Sequence, residues 1–305
     1  MLTYTLKRLA LAFLVALTVS VGSFTLLRAA GDPAVAMAGH SAKASDIEFI
    51  RTTYGFDRPL TTQYLDWLGK ALRGDFGESL YFRTPVSRML ADKLPTTMTL
   101  GGLALLFALG VGLPLGIAAA VRPNSWIDRA ALTLSVTGQA MPTFWFALLL
   151  VLLFSVTFPL LPPSGSGTWK HFVMPTIVLG YYATPAIMRL TRAGMIEVLA
   201  SDYIRTARAK GLHPARVLFK HALRNAVIPV VSLAAVQFGF MLGGSVVVET
   251  VFALHGTGQL AWESISRSDL PTVQAIVLVF SGFYVVLSLI ADLLNAWLDP
   301  RIRVA

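Results

Sequence analysis

Six stretches of this chain, 9–27, 94–121, 130–169, 171–188, 225–248 and 270–291, contain no Asp, Glu, Lys or Arg. Each is at least 18 residues long. A charge at the centre of a bilayer costs about 3 kcal/mol or more, and about 20 residues of helix cover the hydrocarbon core, so uncharged windows of this length locate membrane spans. The third window is too long for one helix and too short for two with a turn in lipid. Pro159, Pro162, Pro163 and the run SGSGT are expected to end it near Phe158. The expected architecture is an all-α membrane protein with six transmembrane helices, which places both termini on one side.

Composition supports a bilayer and narrows the chemistry. The chain is 55% hydrophobic and 13% charged with a mean hydropathy of +0.67, too apolar for an ordinary soluble domain. Its net charge of +9 sits in loops beside the hydrophobic runs, a pattern that argues against nucleic acid as a partner. Without cysteine there is no disulfide, thiolate metal site or thiol nucleophile. The five histidines, His40, His171, His213, His221 and His255, show no ligand-like spacing, and His213 and His221 meet only after folding, so no metal site is expected. Gly69-Lys70 lacks the upstream glycine of a phosphate-cradling loop, and no G-x-S-x-G, H-E-x-x-H or intramembrane carboxylate pair occurs. The chain is therefore expected to have no catalytic residues and no cofactor of its own, and not to be an enzyme.

The first span begins with Lys7 and Arg8 and is followed by A-V-A and A-M-A, so a cleaved signal peptide has to be weighed. Its 19-residue uncharged core exceeds a usual signal h-region and predicts a retained membrane helix. With the N-terminus inside, the cytoplasmic segments hold 14 basic residues, among them Arg122, Arg129, eight from Arg189 to Arg224, Arg301 and Arg303. They hold only four acids, Asp128, Glu197, Asp202 and Asp299. The short outside loops carry Lys170 and Arg267. By the positive-inside bias both termini are predicted cytoplasmic.

The most polar structured stretch is Ser201 to Pro229, SDYIRTARAKGLHPARVLFKHALRNAVIP. Gly211 and Pro214 are expected to cut it into two short helices. Ile196, Leu199, Ala200, Tyr203, Ile204 and Ala207 form an apolar stripe on the first. Arg216, Lys220 and Arg224 line one face of the second, with Val217, Leu218 and Ala222 turned away. D-Y-x-R-T-A-R-A-K-G-L followed by H-x-L-R-N-A-x-I-P resembles the cytoplasmic "EAA" loop of permease subunits in bacterial binding-protein-dependent ABC importers, in the dipeptide, oligopeptide, nickel and glutathione branch. That resemblance implies the type I ABC importer permease fold, with a coupling helix that enters a cleft on the ATPase. Arg205, Thr206 and Ala207 stand where Glu-Ala-Ala would, and only Ala207 and Gly211 keep the general pattern. The coupling loop is thus assigned to 189–224, with Asp202, Tyr203, Arg205, Thr206, Ala207, Arg208, Lys210 and Gly211 as its candidate contacts. Read on charge alone, the same segment is a basic surface that holds anionic lipid headgroups.

Residues 1–30 are read as the cytoplasmic N-terminus and first span, 31–93 as a periplasmic helical region, 94–298 as a five-helix core, and 299–305 as a cytoplasmic tail. In 31–93, turns are expected at Gly31 to Pro33, Tyr54 to Leu60 and Arg73 to Ser79, with Tyr64, Leu65, Trp67 and Leu68 giving the helix between them an apolar side. The order G-D-P, G-x-D-x-P-L-x-x-Q-Y, G-D-F-G-x-S resembles the large loop of the first permease of such a pair. It serves either as a cap or as a dock for the binding protein. The second span holds Gly101, Gly102, Gly110, Gly112, Pro114 and Gly116 and reads as a packing helix rather than a hinge. Gln139 is expected to bond a neighbouring helix.

Beyond the fifth span, Glu249 and V-F-A-L-H-G-T-G resemble E-x-x-F-x-x-P-G-x-G, the outer re-entrant loop that closes the pore, with His255 in place of proline. The candidate pathway and gate residues are Gln237, Glu249, Phe252, His255, Gly256 and Gly258, within the outer loop 251–271. Glu249 either faces outer water or the pathway, where it suits a peptide amino terminus or a nickel-like cation, or is a helix-end carboxylate paired with Arg267 or a backbone donor. Asp292 is expected near the inner interface with a basic partner from the central loop.

The resemblance also implies a paralogous permease, two ATP-binding subunits that bind the ATP and magnesium, and a periplasmic substrate-binding protein, all at the bacterial inner membrane. ATP-driven closure would flip the pore between inward-open and outward-open states. Glutathione, dipeptide, oligopeptide, nickel and opine importers share these motifs; the short third outer loop is most similar to the glutathione and dipeptide members. From other classes, a secondary transporter would be expected to show repeats and intramembrane coupling acids, and a membrane hydrolase a nucleophile with its base at depth.

Overall fold

The computed structural model describes residues 2–38 and 42–298, so His40 and the expected tail 299–305 lie outside the described residues. Among the described residues the chain is helical, with one isolated bridge between Glu78 and Pro85. The long helices are α1 (Leu2–Ala30), α5 (Val86–Val121), α8 (Lys170–Leu199), α12 (Ile228–Val251) and α14 (Leu270–Leu298). Helices α2 (Pro33–Ala38), α3 (Ala44–Thr53) and α4 (Leu60–Ala71) follow α1, and α6 (Trp126–Ala140) and α7 (Thr143–Val151) separate α5 from α8. Short helices α9 (Asp202–Ala209), α10 (Pro214–Arg216) and α11 (Leu223–Ala226) precede α12, and α13 (Thr257–Ser266) follows it.

Four helices are long and apolar enough to cross a membrane, over Thr5–Thr25, Val86–Val121, Ile228–Val251 and Leu270–Leu294. The third expected window does not run straight to Phe158. It breaks at Met141 and Pro142, where α6 and α7 meet at 101° to form a fifth, bent candidate. Pro142 supplies no backbone donor and forces Met141 into an extended conformation (φ −87, ψ 131), which ends α6. A wide turn over Leu152–Thr157 then carries α7 to the expected end. The window 171–188 lies within α8, where His171, Pro175, Tyr181, Tyr182 and Pro185 lower its hydropathy below that of the others. At 30 residues α8 is nonetheless about 45 Å long. Helix α5 begins eight residues before the expected boundary, because Arg88, Asp92 and Lys93 belong to the same helix beyond the apolar run.

Helices α5 and α8 form the centre of the molecule, and small residues let them touch backbone to backbone. A Cβ on Gly180 would lie 2.6 Å from the Ala104 carbonyl, and one on Gly116 would lie 2.7 Å from that of Met188. With no water to drive helices together in lipid, such close contact is what holds them. Leu100, Ala104, Ala108, Met174, Val178, Ala183, Ile187, Met241 and Phe252 fill the core around this pair. Of the α5 glycines, Gly112 and Gly116 pack against α8, while Gly102 and Gly110 have open space beside them.

Helix α6 is tied across α8 by a buried acid: Asp128, 2% exposed, takes two 2.7 Å bonds from the Arg192 guanidinium and a third from the Asn124 amide. Gln139 accepts from Arg189 on α8 at 3.4 Å, on a neighbouring helix as expected. Helix α14 packs on α12, where Gly239 accommodates the Tyr284 ring, and α1 lies outside α14. Asp292 takes its partner from α1, Arg8 at 2.8 Å, not from the central loop. The first helix starts, and the last ends, at the same end of the bundle as the basic segment.

At the opposite end, α4 lies against the last turns of α1. Tyr64 bonds Ser20 at 2.8 Å, and Phe24 packs on Tyr64 and Trp67. Leu65, counted above on the apolar side of α4, is instead exposed. The turns fall where expected, with Gly55, Gly74 and Gly77 at φ near +70 to +79. Burial pushes the Asp32 carboxyl up, but the Ala34 amide and the Arg51 guanidinium outweigh it and hold it below its ordinary value.

The α5–α8 contact gives two substitutions opposite signs. Gly180→Ala drives a methyl into the Ala104 carbonyl and is expected to cost about 1–3 kcal/mol. Gly102→Ala, with nothing within 4 Å of its Cβ, is expected to be neutral or to gain up to about 1 kcal/mol of helix propensity. Melting midpoints of the detergent-solubilised protein check both.

Candidate functional site

The basic segment is anchored by few residues and otherwise exposed. Ile204 and Ala207 of α9 pack with Ala120 of α5, Met195 of α8, and Val217, Ala222 and Ala226, forming one small apolar cluster. Ser201 and Gly211 delimit α9; Gly211 adopts φ +74 with open space around it, a conformation that favours glycine. Pro214 restarts the helix, and the His213 ring caps it through the Ala215 amide at 3.3 Å. From there α10, a wide turn over Val217–Ala222, and α11 lead into α12. The expected stripe is thus divided, since Ile196 and Leu199 end α8 while Tyr203, Ile204 and Ala207 belong to α9.

The remaining coupling candidates face outward. Asp202 and Arg205 pair at 3.3 Å with 91% and 74% of their side chains exposed, an arrangement that contributes little to stability. Arg208, Lys210 and Thr206 are exposed, the last bonding the Asp202 carbonyl. Tyr203 is half exposed, and its hydroxyl accepts from Asn225 at 2.7 Å, tying α9 to α11. Arg216, Phe219, Lys220 and Arg224 extend the surface. It is cationic with two aromatic rings, able to engage an acidic or polar cleft through charge and a small apolar knob.

At the other end, Glu249 faces neither water nor a pathway. It is fully buried; Oε1 accepts from Thr97 of α5 at 2.7 Å and Oε2 from the Gln259 amide at 3.0 Å. Thr97 in turn accepts from the Thr257 amide at 2.8 Å. The carboxylate therefore caps the N-terminus of α13, where unpaired amides and the helix dipole favour negative charge. The backbone donor is its partner, while Arg267 stacks on the Tyr81 ring at 4.0 Å. This arrangement explains both gate glycines: a Cβ on Gly258 would lie 2.9 Å from the Glu249 carboxylate, and one on Gly256 would collide with it. Phe252 is buried in the core. His255 is exposed, its Nδ1 3.0 Å from the Ser166 hydroxyl. Gln237, partly buried, sits more than three turns back along α12 and is not part of this cluster.

A third buried acid was not singled out from the sequence. Asp269, fully buried just before α14, accepts from the Ser79 hydroxyl, the Leu80 amide at 2.9 Å and the Thr272 hydroxyl at 2.7 Å. It fastens the segment ahead of α5 to the loop after α13. An Asp immediately before L-P and an apolar run is a helix-start signal, and Ser79 closes the G-D-F-G-x-S motif. Ala253 and Ser268, at φ 46 and 55, bracket α13 with strained left-handed turns.

A helical bundle with several membrane-length apolar helices, a short helix seated on a buried carboxylate at one end and an exposed basic element at the other has the form of a polytopic membrane protein. Residues 112–304 match the family described as "Binding-protein-dependent transport system inner membrane component", and 1–101 match the N-terminal part of such components. The chain belongs to this family and is a multi-pass protein of the bacterial inner membrane. It is 42% identical to the glutathione transport system permease protein GsiC of Salmonella choleraesuis over 99% of each chain. To the protein of that name from Escherichia coli it is 41% identical over the same share. The fold matches the inward-facing MetNI methionine ABC transporter at a TM-score of 0.56 and 18% identity, covering 69% of this chain and 96% of that one. Family membership makes the chain a transport subunit rather than an enzyme, and implies ATP-binding subunits and a substrate-binding protein as partners.

Glu249→Ala leaves the Thr97 hydroxyl and the Gln259 amide buried without an acceptor, and is expected to cost about 3 kcal/mol. Limited proteolysis is expected to cut residues 253–268 in that variant and to spare them in His255→Ala, whose ring is exposed.

Proposed function

We propose that this chain forms half of the translocation pathway of an importer for glutathione-like short peptides. Full-length identity of 41–42% to the glutathione permeases carries the reading. A paralogous permease supplies the other half, and two ATPases and a periplasmic binding protein complete the machine; ATP and magnesium belong to the ATPases. Six spans with cytoplasmic termini are supported by the length of α8 and by the shared end of the first and last helices, with the basic segment at that end as the positive-inside bias requires. On this reading residues 31–93 are periplasmic and 189–224 form the coupling loop. Asp202, Tyr203, Arg205, Thr206, Arg208 and Lys210 meet the ATPase, Ala207 anchors the helix and Gly211 makes its turn. Glu249, Gly256 and Gly258 hold α13 as an outer gate, with Phe252 locking its base, His255 at its exposed edge and Gln237 lower on the pathway helix. ATP binding draws the two coupling elements together and opens the gate outward.

Two experiments test this. With the paralogous permease and ATPases co-expressed, Gly211→Asp and the triple change Arg205, Arg208 and Lys210 to Ala are expected to lose the ATPases on affinity capture while keeping the paralogue. Unchanged capture would refute the coupling assignment. Uptake of labelled glutathione by cells carrying the whole system is expected to be competed by unlabelled glutathione; competition by dipeptides or nickel instead would reassign the substrate.

A further inference from the structure

A cavity of about 670 Å³ lies between the end of α1, the segment 54–83 and the first turn of α14. Its lining includes Phe24 and Arg28 of α1 and Leu270, Pro271 and Gln274 of α14, which are the ends of two adjacent membrane-length helices. Arg28 comes three residues after the apolar stretch Thr5–Thr25. Tyr64 and Trp67 beside it are residue types that favour the membrane–water boundary, so the cavity lies at headgroup depth.

The Arg28 guanidinium is sandwiched by aromatic rings, 5.1 Å from the Phe24 centroid and 4.9 Å from that of Phe56. These contacts use none of its N–H donors; no hydrogen bond engages it among the described residues, and the Asp32 carboxylate, itself bonded to Arg51, attracts it only through space. Lys70 and Arg73 share the lining. Of the acids there, Asp66 is paired with Arg58 at 3.1 Å, Asp75 accepts from the Gly77 amide, and Glu78 is exposed. The buried Gln274 Nε2 is a further donor with no partner among the described residues. Leu14, Leu17 and Val21, all exposed, continue the helical face of α1 that ends at Arg28. Fixed donors above an exposed apolar stripe match an amphiphile whose head is an anion; a forked guanidinium suits a phosphate.

We propose that this cavity binds the phosphate of an anionic phospholipid, with Arg28 as principal donor and the acyl chains along the Leu14–Leu17–Val21 face of α1. The site stands apart from the solute carried and from the sidedness of the membrane. It would fasten α1 and the segment 54–83 to the first turn of α14.

The test uses the assembled importer, delipidated in mild detergent, with phosphatidylglycerol, phosphatidylethanolamine and sodium phosphate as probes and native mass spectrometry as the readout. Wild type is expected to retain phosphatidylglycerol in preference to phosphatidylethanolamine. Arg28→Ala is expected to weaken retention about tenfold, as loss of a charge-assisted hydrogen bond would. Arg28→Lys, which keeps the charge without the fork, should fall between, and Arg122→Ala, at an exposed position at the other end, should match wild type. Phosphatidylglycerol is also expected to raise the melting midpoint of wild type, a measurement independent of how the variants fold. Equal retention of the two lipids, undiminished retention in Arg28→Ala, or displacement by sodium phosphate would each overturn the proposal. So would loss of binding-protein capture in Arg28→Ala with lipid retention unchanged, which would make the cavity a protein dock.

Discussion

Backbone contact between α5 and α8 is the constraint on which both ends of the molecule depend. In lipid an apolar side chain gains nothing by leaving solvent for a neighbour, so a pair of helices is held by how closely its atoms approach. Gly112, Gly116 and Gly180 bring the two main chains together at successive turns. The same two helices then carry the functional elements. Helix α5 supplies Thr97 to the Glu249 cap at one end and Ala120 to the cluster under α9 at the other. Helix α8 runs directly into α9. The basic element and α13 are therefore mounted on one frame of about 54 Å, the length of the 36-residue α5.

The buried acids fasten the pieces that are not part of that frame. Asp128 ties α6 to α8 through Arg192, Glu249 ties α13 to α5 and α12, and Asp269 ties the segment at Ser79 to the start of α14. Each has every oxygen engaged, which is the condition under which a carboxylate can be buried without large cost. Two of the three sit at helix ends, where capping supplies donors that a side chain would otherwise have to provide. Enclosed in this way, the carboxylates clamp their helices together.

Where a signal in the sequence was local, it was legible. Gly211 and Pro214 mark the break after α9 because a positive φ and a missing amide act on the residues themselves. The apolar runs of α1, α5, α12 and α14 were legible for the same reason. Two features were hidden because charge-free windows report depth in lipid and not helix geometry: the Met141–Pro142 bend lies inside an uninterrupted apolar window, and α5 continues past Lys93 into water. Pairings between distant segments were the least accessible. Nothing near Asp292 points to Arg8, since the two are brought together only when α1 packs on α14. The resemblance at residues 249–258 located the gate motif, and only the fold shows why its glycines are required, by seating a carboxylate against them.

Helix α12 completes the connection between the two ends. Its beginning is continuous with α11 and the wide turn before it, which share a small apolar cluster with α9, and its end carries Glu249 into the cap of α13. The wide turn at Val217–Ala222 falls at the start of this path, where a relaxed hydrogen-bonding register allows local adjustment without breaking the helix. Helix α9 is thus linked to α13 by two routes, through α5 and through α12.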